Sequence, residues 1–140
     1  RCANKTGTGK MRKVFITDDS QLYIDTLSGI LLVDEMLICS TTKASEAIDK
    51  IVSFLPDVIV IDKTMPDMDG IALLRLIKED ERINYIPRLL ISGDSLKEVI
   101  QTCEDFDDYI DKLEDVKDIR GRVKVYADIG KVRKAARGKL

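Results

Sequence analysis

The chain has 140 residues, 44% of them apolar and 34% charged, with no histidine and no tryptophan. That composition fits one compact domain and leaves no apolar run able to cross a bilayer and no secretory signal, so the expected location is the cytoplasm. Without histidine, Ser-His and Cys-His catalytic arrangements and histidine-held metals are excluded, which leaves carboxylates and other oxygens to carry any chemistry.

The formal net charge of −2 conceals a division. Residues 1–13 carry five basic groups and no acid, residues 120–140 eight basic and one acidic, and residues 14–119 ten basic and 24 acidic. An acidic body with basic ends points to a cation-binding centre. The three cysteines, Cys2, Cys39 and Cys103, lack zinc-site spacing and read as reduced thiols.

Residues 1–11 are polar and unperiodic at their start and are expected to be a disordered leader. From there, short apolar runs rich in β-branched residues alternate with stretches of helical period. The runs are Val14–Thr17, Met36–Ser40, Val58–Asp62, Leu89–Ser92 and a weaker Asp108–Lys112. Tyr23, Leu27, Ile30 and Leu31 form the first helical stripe, and Ala44, Ala47, Ile48, Ile51, Val52 and Leu55 the second, stopped by Pro56. Leu73, Leu74 and Ile77 form a third; Leu96, Val99, Ile100 and Cys103 a fourth, opened by a Ser95–Glu98 capping relation. Val116, Ile119, Val123 and Tyr126 continue a fifth, and residues 127–140 are expected to be a basic extension or linker, with a helix contacting nucleic acid or an acidic protein face as the alternative.

Nearly continuous apolar runs suit strands covered on both faces. The expected fold is therefore α/β: a (βα)5 doubly wound, parallel five-stranded sheet in a flavodoxin-like three-layer sandwich, with its domain over residues 12–126. Ligands in such sheets bind at the carboxyl ends of the strands. The residues there are Asp18, Asp19, Asp62, Ser92 and Lys112. Three carboxylates at close range need a counter-charge, and an all-oxygen set favours Mg²⁺ or Mn²⁺. An aspartate beside such a cation can act as a nucleophile toward a phosphoryl group, whose oxygens the cation and a lysine would neutralise. Met65–Gly70 fails as an EF-hand, having Met65 at the first ligand position, and reads as a turn entering a helix at Gly70.

The segments VFITDDS, PDVIVIDKTMPDMDGIALLRLIK, IPRLLISGDS and DDYIDK together resemble the receiver domain of two-component response regulators. The resemblance implies that Asp62 is the phospho-acceptor, that Asp18 and Asp19 hold Mg²⁺ with the backbone carbonyl of Thr64, and that Lys112 pairs with the phosphoryl group. It further implies that Ser92 reaches for a phosphoryl oxygen and that Tyr109 changes rotamer with it. Thr64 and Asp94 occupy positions that influence hydrolysis in the family; an acidic Asp94 could orient water or repel phosphate. The implied partners are a sensor histidine kinase or phosphotransfer protein and a downstream effector, with no nucleic acid or membrane contact from the receiver itself. The chain is then a signalling module and not an enzyme. A constitutive binding module and a haloacid-dehalogenase-type hydrolase are the alternatives; the second would put its nucleophile on the first strand as Asp-x-Asp.

Besides Thr64 and Asp94, two sites depart from the family pattern. Leu113 follows Lys112 where a proline is common, so a trans bond is expected. Asp105-Phe106 stands where Gly-Ala is usual, which implies a repacked fourth helix. Gly93 is expected to keep access to Asp62 open.

Overall fold

The computed structural model describes residues 11–101 and 105–138. Five strands, β1 (Lys13–Thr17), β2 (Leu37–Thr41), β3 (Val58–Asp62), β4 (Arg88–Ser92) and β5 (Asp108–Asp111), alternate with α1 (Gln21–Leu32), α2 (Ala47–Phe54), α3 (Gly70–Glu79), α4 (Leu96–Ile100) and α5 (Val116–Arg137). All neighbouring strands pair in parallel in the order β2-β1-β3-β4-β5. The order reverses direction at β1 and β3, which leaves a crevice at their carboxyl ends.

Alternation along each strand builds two cores. Phe15, Cys39, Ile59, Ile61 and Leu90 face α2 and α3, whereas Val14, Ile16, Val58, Val60, Leu89 and Ile91 face α1 and α5. Both sheet faces are thereby covered, and the expected three-layer architecture is the one found.

The helical stripes hold with local shifts. In α1 the buried residues are Ile24, Leu27 and Leu31; Ile30 lies at the margin. That rotation leaves Tyr23 half-buried at the sheet edge. The second stripe begins in a 3₁₀ turn at Ala44–Glu46, and α2 ends at Phe54, because Leu55 adopts a left-handed conformation (φ 48°). Ser20, Asp69, Ser95 and Asp115 cap α1, α3, α4 and α5 with side-chain oxygens that accept backbone N–H bonds. The bond to Leu113 is trans, as expected, and Leu113 projects into solvent.

Two expectations need correction. Cys39 is disulfide-bonded, not a reduced thiol, and its partner lies outside the described residues, as do Cys2, Cys103 and the expected leader over 1–10. The basic tail is not a solvated extension from residue 127: α5 runs unbroken to Arg137 and buries Ala127 and Gly130. Its cations are bound to the body. Lys131 and Lys134 lie 3.1 and 3.0 Å from Asp57, Lys131 and Lys134 also donate to the carbonyls of Met11 and Leu55, and Arg133 donates to that of Tyr85. Gly130 packs so closely that a Cβ there would lie 1.7 Å from the Asp57 carbonyl oxygen. A Cβ at Gly93 would meet nothing within 4 Å, so the packing of the fold leaves that position open.

Candidate functional site

Strand ends and the loops after them gather the site. Asp18 and Asp19 follow β1, Asp62 closes β3, Ser92 closes β4, and Lys112 follows β5. One carboxylate oxygen from each of Asp18, Asp19 and Asp62 lies within 4.8 Å of the others. Asp18 and Asp62 are buried, Asp19 is exposed, and Lys112 is half-buried between them.

The lysine ties the cluster together. Its Nζ donates to Asp18 Oδ2 and to Asp62 Oδ2, both at 3.0 Å. The remaining oxygens are also engaged: Asp18 Oδ1 accepts from the Ser20 N–H at 2.8 Å, and Asp62 Oδ1 from the Thr64 N–H at 3.2 Å. Lys112 also sits over the Tyr23 ring, 5.0 Å from its centroid.

One ammonium does not balance two buried carboxylates. Burial pushes the Asp62 carboxyl up to about 6, with the charge of Asp18 adding to the effect and Lys112 opposing it. Asp18 is also raised, first by burial and against its bonds to Ser20 and Lys112. Burial pulls Lys112 down, but hydrogen bonds to Asp62 and Asp18 outweigh it and leave the lysine raised. Tyr23 is pushed up to about 12 by burial and then by Asp18, and its hydroxyl has no hydrogen-bond partner among the described residues. The cluster therefore carries excess negative charge in a hard-oxygen donor set, which fits a small divalent cation.

The other two predicted residues lie beside this cluster. Ser92 is buried, and its Oγ accepts from the Asp94 N–H at 2.9 Å. The Tyr109 hydroxyl donates to the carbonyls of Asp94 and, at 3.3 Å, Ser92; its ring tilts against Phe106 with centroids 6.4 Å apart. Phe106, one of the departures from the family pattern, thus props Tyr109. Gly70 brings α3 against β3: a Cβ there would lie 2.3 Å from the Asp62 carbonyl oxygen.

Two participants escape sequence reasoning, Tyr23 and Lys63. Tyr23 reads as part of a core stripe, and only the rotation of α1 turns its ring toward Lys112. Lys63 Nζ lies 2.5 Å from Asp94 Oδ2, joining the loops after β3 and β4. Its position beside Asp62 is visible in the sequence, but its partner is distant along the chain.

A family model described as response regulator receiver domain matches residues 14–124. Among curated proteins, the chain is 30% identical over 121 residues to the transcriptional regulatory protein KdpE of Staphylococcus aureus, covering 85% of this chain and 51% of that one. It is 38% identical over 90 residues to a protein-glutamate methylesterase/protein-glutamine glutaminase of Hahella chejuensis, covering 63% of this chain and 24% of that one. The chain thus spans between about a fifth and half of the length of the curated relatives it matches. Among solved structures, the receiver domain of the Francisella response regulator 1452 is 28% identical, with a TM-score of 0.75 and coverage of 84% of this chain and 97% of that one. A CheY-like receiver domain protein from Methanospirillum hungatei shares the fold at a TM-score of 0.77 and 22% identity, covering 86% and 97% of the two chains. A buried aspartate at the end of the central strand, an acidic pair after the first and a lysine after the fifth thus stand on a matching fold and a matching family: the chain belongs to the response regulator receiver domains of two-component signalling.

Proposed function

We propose that the chain takes a phosphoryl group onto Asp62 from the phosphohistidine of a partner histidine kinase or phosphotransfer protein. The carrying observation is Lys112 Nζ at 3.0 Å from both Asp18 and Asp62. That arrangement puts a nucleophilic carboxylate, a second carboxylate for a metal and a cation for the phosphoryl oxygens at one point. The Asp62 oxygen forms a bond to phosphorus, the P–N bond to the donor imidazole breaks, and the imidazole leaves with that electron pair.

Asp18, Asp19, Asp62 and the Thr64 carbonyl would hold Mg²⁺ or Mn²⁺, which supplies positive charge to the transferring oxygens. Lys112 neutralises the product on the other side, moving from Asp18 toward the phosphoryl group. Ser92 donates its hydroxyl to a phosphoryl oxygen, and Tyr109 follows the displaced loop. The local addition of about two charges thereby changes the surface read by a downstream effector. Receiver domains act between kinases and effector domains, and a cytoplasmic site of action suits this reading; no helix among the described residues is long and apolar enough to cross a membrane. Nucleic-acid binding is not expected of the receiver, since Lys131, Arg133 and Lys134 are paired within the fold.

Incubation with Mg²⁺ and a small phosphoryl donor, followed by intact mass, tests the reading. A gain of roughly 80 Da, the mass of one phosphoryl group, is expected in the native chain and not in Asp62→Asn. No gain with Mg²⁺ present would overturn it in favour of a constitutive binding module, and multiple turnover of phosphoesters would favour a hydrolase.

A further inference from the structure

Asp94 is held by three residues at once. Its backbone N–H donates to Ser92 Oγ at 2.9 Å, its carbonyl accepts from the Tyr109 hydroxyl, and its carboxylate pairs with Lys63 at 2.5 Å. Around it, residues Gly93–Glu98 are all exposed, and α4 is five residues long with Val99 its buried residue. The loop after β4 therefore has little apolar anchorage between Ser92 and Val99. Its place is set by polar contacts, and the pair with Lys63 is the ionic one.

Lys63 follows Asp62 in the chain, and its ammonium reaches across to the loop after β4. A phosphoryl group on Asp62 that drew the Ser92 hydroxyl would pull it from the Asp94 N–H and so shift the loop that Lys63 holds. That shift takes the loop away from the arrangement described, and Tyr109 is bonded to the same loop. We propose that Lys63 and Asp94 form a latch that holds the β4–α4 loop, with Ser92 and Tyr109, in its unphosphorylated arrangement and so opposes phosphorylation of Asp62. They are positioning residues, and the inference about phosphorylation rests on the function proposed above. An ion pair that stabilises the unmodified arrangement and breaks on modification must, by linkage, disfavour that modification by the same factor.

The pair is partly exposed, with side-chain accessibilities of 23% for Lys63 and 45% for Asp94. Its effect is accordingly moderate, about two- to five-fold on the equilibrium between arrangements.

The test compares native chain, Lys63→Gln, Asp94→Asn, the double variant and Lys63→Arg. The first readout is the NMR signal of the Tyr109 ring in unphosphorylated, metal-free protein. Both single variants are expected to move it in the same direction, the double variant no further than either, and Lys63→Arg to stay at the native position. The second readout is the fraction carrying the phosphoryl adduct at limiting small donor, expected to rise about two- to five-fold in either single variant and no more in the double. An unmoved Tyr109 signal, or single effects that multiply in the double variant, would overturn the latch. Absence of the adduct from every chain would instead overturn the function proposed above, while the Tyr109 signals still decide whether the ion pair holds the loop.

Discussion

Two buried aspartates stand at opposite ends of β3, and their surroundings differ in kind. Asp57, 1% exposed, precedes the strand; Asp62, 3% exposed, closes it. Asp57 has two ammonium partners, Lys131 and Lys134, and accepts the Lys13 backbone N–H at 2.9 Å. Asp62 shares a single ammonium with a second buried carboxylate, Asp18. Charge is over-compensated at one pole of the sheet and under-compensated at the other. Stability is concentrated where the carboxylate is satisfied, and the proposed phosphoryl chemistry falls where it is not.

The largest expected effect comes from breaking the satisfied pole. Asp57→Ala leaves Lys131 and Lys134 without their shared anion at the base of the sheet. A loss of about 3 kcal/mol is expected by urea unfolding, at the low end for a buried pair because both ammoniums retain some exposure. An unchanged midpoint would mean that α5 docks by its apolar face alone.

Removal of the carboxylate charge at the other pole should have the opposite sign. Asp62 is pushed up to about 6 in the folded chain, above its ordinary carboxylate value of 3.8, so the folded state binds the proton more tightly than the unfolded one. Its penalty is absent below about pH 4, grows as pH rises toward 6 and is constant above that. Asp62→Asn should therefore stabilise the metal-free chain by about 2 kcal/mol at pH 7, and the gain should vanish near pH 4. Equal stability of the two chains at both pH values would refute this account of the charge imbalance.

A divalent cation should correct the same imbalance. With Mg²⁺ at ten times its Kd, the native chain should gain about 1.4 kcal/mol at pH 7. That gain should fade as pH drops through about 6, because a proton on Asp62 competes with the metal; thermal unfolding with Mg²⁺ or chelator reads it. The smallest effect is expected at the surface of the satisfied pole. Arg12 donates twice to Asp128, yet both side chains remain open to solvent, and Arg12→Ala should cost under about 1 kcal/mol in the same unfolding measurement.

The site is more legible in the sequence than the far pole is. Asp18, Asp62, Ser92 and Lys112 each end or follow an apolar run, so a period-based reading of strands places them together without any knowledge of contacts. Asp57 carries no such mark: it precedes a strand and looks like a turn former after Pro56. Its partners lie more than 70 residues away in a stretch with few apolar positions, where helical period is weak. The basic half of α5 is hidden for the same reason. Its helix is secured by lysines and arginines reaching Asp57, Asp107 and loop carbonyls, and sequence patterning reports apolar faces, not long-range ion pairs. Tyr23 and Ile24 show the finer limit, since a rotation by one residue decides which of them enters the core and which faces Lys112.

The two glycines flanking the reactive pole divide the local stiffness unequally. At Gly70 the first turn of α3 is pressed onto the Asp62 carbonyl, where even one added carbon would collide, whereas the surroundings of Gly93 are open. A load applied at Asp62 thus meets a rigid abutment on the α3 side and a yielding one on the α4 side. Compliance is directional: of the two sides of Asp62, the one with room to move is the β4–α4 loop.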